Sequence, residues 1–132
     1  MANNVTFIAT ANVGKEYTAT QIMDKALMDR FHIIEIDSLD KENELNLLNK
    51  RFENEFNNKI VDIIFKIKTI CYSDNPNIYT IPTTRWSLNL AELCCNDFTL
   101  QEALDVELLP KFNNVGNDNE RQVVKMIVNS MI

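Results

Sequence analysis

Two glycines in 132 residues leave this chain few places to reverse direction tightly. A small β-sandwich or hairpin-rich barrel places turn residues every few positions, so such folds are disfavoured and long regular elements are expected. Hydrophobic residues make up 45% of the chain and charged ones 24%, enough apolar material for one core or two small ones.

Hydrophobic patterning divides the chain in two. Val5 to Thr10 is a short apolar, β-branched run with the composition of a strand buried on both faces. From Thr20, Ile22, Met23, Ala26 and Leu27 recur at helical spacing and predict a short helix ending near Arg30. His32-Ile33-Ile34-Glu35-Ile36 reads as a second strand. Strand, helix, strand is the order of a parallel sheet, which needs more strands and covering helices than residues 1–37 supply. Val5 to Ile36 is therefore expected either to pair with another chain or to be poorly ordered.

After Asp37 the pattern is helical. Ser38 and Asp40 are candidate caps, with Leu45, Leu48, Phe52 and Phe56 as an apolar stripe and a break at Asn57-Asn58. Ile60 to Ile70 is apolar on so much of its circumference that it predicts a central helix. A loop follows at Ser73 to Asn77, and a helix start near Arg85 after Pro82. Thr99 and Glu102 have capping-box spacing, Pro110 should stop the helix they open, and a last helix should run from about Asp118. The expected organisation is an α/β remnant over 1–37 and an all-α domain over 38–132, the latter able to fold alone.

The net charge of -6, without a Lys/Arg stripe, argues against binding to a nucleic-acid backbone. The first residues lack the regions of a signal peptide, and the most apolar stretch is interrupted by Asp62, Lys66 and Lys68, so a cytoplasmic protein with no membrane association is expected. Cys71, Cys94 and Cys95 lack C-x-x-C spacing and are expected as reduced thiols. His32 has no second ligand at metal-binding spacing, so no metal site is expected.

Three motifs carry a family resemblance. Val5 to Asn12, V-T-F-I-A-T-A-N, resembles the sensor-1 strand of AAA+ ATPases. Tyr17-Thr18-Ala19-Thr20 with Ala26 to Phe31, A-L-M-D-R-F, is similar to the Y-x-G-T … A-L-x-D-R-F pattern of the MoxR, CobS and dynein-related branch. Thr83-Thr84-Arg85 resembles the S/T-x-R signature that opens a lid helix there. The resemblance implies the end of an AAA+ parallel-sheet core followed by a helical lid, with Asn12 as sensor 1 placing water, Arg30 as a trans-acting arginine finger, and Arg85 as a nucleotide-binding sensor 2. It also implies ATP and Mg2+ in the intact protein, a hexamer made with the remaining core and neighbouring subunits, and a von Willebrand A-type protein partner. No G-x-x-x-x-G-K-[ST] and no acidic Walker B strand occur, so this chain alone should not hydrolyse ATP.

Blander readings stand beside these. Asn12 also suits a strand-terminal turn, Arg30 a helix C-terminus paired with Asp29, and Arg85 a solvated first turn. Trp86 and Tyr79 could stack on an adenine, but a core role is the simpler reading. The alternative function is a non-enzymatic helical protein-interaction module, and a truncated reading frame is a third reading.

Overall fold

The computed structural model describes residues 6, 8–10, 29–115 and 119–132, in two units, Met1–Ile36 and Asp37–Ile132. In the first unit the expected parallel-sheet remnant is corrected. Among the described residues there is no strand: 8–10 and 32–36 are irregular chain, with Ile33 54%, Ile34 84% and Ile36 90% exposed. β-branched composition makes a strand only where a neighbour accepts its backbone hydrogen bonds and covers its side chains, and the described residues supply no such neighbour. The expected helix over Thr20 to Arg30 lies outside the described residues, except that Asp29 and Arg30 form a turn.

The second unit is helical. Helix α1, Lys41–Arg51, starts where the Asp40 carboxylate accepts from the Asn43 N–H at 2.8 Å. Glu42 and Glu44 lie in its first turn and Lys50 and Arg51 in its last, the arrangement favoured by the helix dipole. The break after α1 falls at residues 52–56, ahead of the expected Asn57-Asn58, and leaves Phe52 and Phe56 outside the helix in a hydrogen-bonded joint. Asn54 accepts from the Phe56 N–H at 2.8 Å and donates to the Ala91 carbonyl, while the Asn57 amide donates to Asn49 and to the Phe52 carbonyl, both at 3.0 Å.

Helix α2, Asn57–Cys71, is the central element that the isoleucine run predicts. Ile60, Val61, Ile63, Ile64 and Ile67 are fully buried, and the helix packs against α1, α3 (Thr84–Cys95) and α5 (Glu120–Met131). Leu48, Leu90, Leu104, Leu108, Val124 and Val128 complete one contiguous core.

Helix α3 ends in a Schellman-type cap, with the Phe98 N–H reaching the Leu93 carbonyl at 3.3 Å around Asp97 at φ 65°. Glycine is the usual residue for this left-handed position, and here aspartate occupies it. Thr99 and Glu102 form the expected capping box for α4, Leu100–Ala103. The chain then widens into a π-helical turn, Leu104–Leu108, and tightens into a 3-10 turn, Leu109–Lys111. Pro110 is the physical cause within reach: it lacks an N–H, and its ring would crowd the carbonyl of residue 106 in a regular helix. Asn119 caps α5 by accepting from the Gln122 N–H at 3.0 Å, one residue beyond the expected start. Among the described residues, no helix is long and apolar enough to cross a membrane.

Candidate functional site

Of the three residues singled out from the sequence, Asn12 lies outside the described residues. Arg30 is exposed in the first unit, and Arg85 is exposed in the first turn of α3 in the second. Thr84, in the same triplet as Arg85, has a structural task. Its hydroxyl donates to Glu44 Oε2 at 3.0 Å, the Ser87 hydroxyl donates to Glu44 Oε1, and Lys68 Nζ lies 3.0 Å from Oε2.

Glu44 is fully buried, so its charge is tolerable only because these three donors surround it. The cluster joins α1, α2 and α3 through residues 24 to 43 positions apart. In the residue order Lys68 stands only as an interruption of an apolar run, and nothing there pairs it with Glu44. Only the facing helices show that they are partners.

A second buried carboxylate organises the other end. Glu120 accepts from the N–H groups of Tyr79 at 2.5 Å, Thr80 at 3.0 Å and Asn113 at 3.2 Å, and from the Thr80 hydroxyl at 2.9 Å. Burial works to raise its pKa, but these four donors outweigh burial and hold it below the ordinary carboxylate value. Arg121, next in sequence, donates to the Phe112 and Pro110 carbonyls. Glu120 and Arg121 thus fasten α5 to both neighbouring loops.

Trp86 packs edge-on against Phe112 at 5.8 Å, with Lys111 Nζ 4.7 Å above its ring, which is the core role. Tyr79 is 64% exposed. All three cysteines are free thiols, and burial pushes the pKa of Cys71 and Cys94 up, so they stay protonated at neutral pH.

A surface feature with room for a ligand runs along the outer stripe of α2. One shallow depression of about 440 Å³ is lined by Lys41, Asp62, Phe65, Lys66, Thr69 and Met131. A second, of about 260 Å³, shares Phe65 and Thr69 and is walled by Leu39, Tyr72, Ile81 and Pro82. Together they form an amphipathic groove. Lys68 sits in its floor, its ammonium 4.2 Å from the Phe65 ring centroid and paired to Glu44 beneath. Lys41 and Asp62 make an ion pair at 2.7 Å on the rim.

Fold and groove define this part of the chain as a small all-helical domain with an open amphipathic face. Over 110 residues, 82% of its length, the chain is 27% identical to a protein named "Putative chaperone BssE" from Thauera aromatica, and it spans 37% of that relative's length. No protein-family model matches the chain, and no solved structure matches it.

These findings overturn the assignment to MoxR/CobS/dynein-related AAA+ ATPases. The described residues contain no strand of a parallel-sheet core, no family model supports the assignment, and the relative is named as a chaperone. Short motifs carried the resemblance, and a triplet such as Thr83-Thr84-Arg85 also arises where a helix start must satisfy a buried carboxylate. The roles attached to Asn12, Arg30 and Arg85 rested on that resemblance.

Proposed function

We propose that Asp37–Ile132 is a non-enzymatic protein-interaction module of a longer chaperone-type protein, which holds polypeptide segments along the outer stripe of α2. The observation that carries this reading is the continuity of the groove from Lys41 to Ile81, with Leu39, Tyr72 and Ile81 left 38%, 69% and 40% exposed along it. The similarity to BssE supports it.

Fully burying an apolar side chain contributes about 1.5–3 kcal/mol, and association must first offset lost translational and rotational freedom. Three partly exposed anchors therefore favour weak, reversible capture, which suits a surface that must let its client go.

The test uses the 132-residue chain and a reduced, carboxymethylated polypeptide that cannot refold, with aggregation followed by light scattering. The chain should suppress aggregation equally with and without ATP and Mg2+. Failure to suppress it would sink the reading, and dependence on ATP and Mg2+ would count against a nucleotide-free module.

A further inference from the structure

We infer that the groove on α2 is selective for short amphipathic helices that carry carboxylates beside their apolar anchors; this rests on the interaction-module reading above. Three observations converge on it.

The first is charge. The whole chain carries -6, yet the groove gathers three ammonium groups, Lys41, Lys66 and Lys68, against two carboxylates, Asp62 and the buried Glu44. Lys68 is neutralised from below by Glu44, and Lys41 is bridged to Asp62. Lys66 is exposed and, among the described residues, has no carboxylate within ion-pair distance. An exposed pair such as Lys41–Asp62 is held by little free energy, so an incoming carboxylate can exchange for Asp62. The face is therefore locally positive on an acidic protein, which attracts acidic segments and repels basic ones.

The second is length. Asp62, Phe65, Lys66 and Thr69 follow one another at helical spacing on α2, with Tyr72 just past its end as the C-cap, and a ten-residue separation at helical rise spans about 15 Å. That matches roughly three turns of a partner helix.

The third is the chemistry of the floor. Helix α2 satisfies its own backbone, so it offers no unpaired edge to which an extended strand could add. A helix brings its backbone bonds with it and needs only side-chain contacts, which Phe65, Tyr72 and Ile81 supply as apolar surface.

The test is fluorescence anisotropy with the 132-residue chain and three fluorescein-labelled peptides of about 12 residues, or three helical turns. All carry leucine at i, i+3, i+4 and i+7, with glutamate, glutamine or lysine elsewhere. The glutamate peptide should bind at least about tenfold tighter than the lysine peptide, with the gap narrowing as salt shortens the screening length. Lys66→Glu should reverse the order. Ile81→Asp should weaken all three, with circular dichroism confirming that each variant stays helical.

Equal affinity for the glutamate and lysine peptides, or an unchanged order in Lys66→Glu, would overturn the selectivity. If aggregation suppression still disappeared in Ile81→Asp, the module reading would stand without it. If sedimentation showed self-association that Ile81→Asp abolished, the occupant would be a second copy and the inference would be wrong. With neither peptide binding nor aggregation suppression, both readings would fall.

Discussion

Isoleucine is concentrated in two short regions of this chain, and their fates are opposite. In α2, Ile60, Ile63, Ile64 and Ile67 are fully buried; between His32 and Ile36, three isoleucines are 54% to 90% exposed. Local composition is almost the same. The difference lies in the partners: α2 has α1, α3 and α5 against it, whereas the described residues of the first unit form no element that covers the second run. Apolar area is buried only when another apolar face meets it, and a lone β-branched segment gains nothing by extending into a strand with no neighbour.

Four substitutions break or sharpen this comparison, each read from urea unfolding followed by helical circular dichroism. Lys68→Met should cost the most, about 3–5 kcal/mol, because it leaves the Glu44 carboxylate buried without its counter-ion. Ile64→Ala should cost about 2–5 kcal/mol through the cavity it opens beneath α2. A loss below about 1 kcal/mol at either position would show that the core around α2 is loose.

Glu120→Gln should cost about 1–3 kcal/mol at neutral pH by weakening the acceptor of four donors. It should also change the acid limb. The folded pKa of Glu120 is lowered, so its contribution is whole above the unfolded value near about 4.3 and is lost as the pH falls through the folded pKa. Stability measured between roughly pH 6 and pH 3 should therefore fall less steeply in the variant than in the parent chain. Parallel slopes would remove Glu120 from the account. The smallest effect belongs to the exposed run: Ile34→Ser should stay within about 0.5 kcal/mol. A loss comparable to that of Ile64→Ala would mean that the segment is covered after all, and the comparison would collapse.

Much of the helical unit was legible in the residue order. The isoleucine run announced α2, the Thr99/Glu102 spacing announced the cap of α4, and a last helix was expected close to where α5 begins. Helix periodicity and caps depend on residues three or four positions apart, so the sequence displays them directly. The candidate groove was legible only in part. Phe65 and Lys66 sit visibly on α2, but Ile81 and Leu39 reach the same surface from loops at other places in the chain.

The sequence by itself determined where helices begin, which of their faces are apolar, and that tight turns would be scarce, because each depends on local sterics and on hydrogen bonds within a few residues. Tertiary structure alone decided that Glu44 meets Lys68, Thr84 and Ser87, that Glu120 gathers two loops, and that His32 to Ile36 is no strand among the described residues. Those outcomes turn on which distant side chain or backbone edge is close enough to replace water, and residue order does not state that distance.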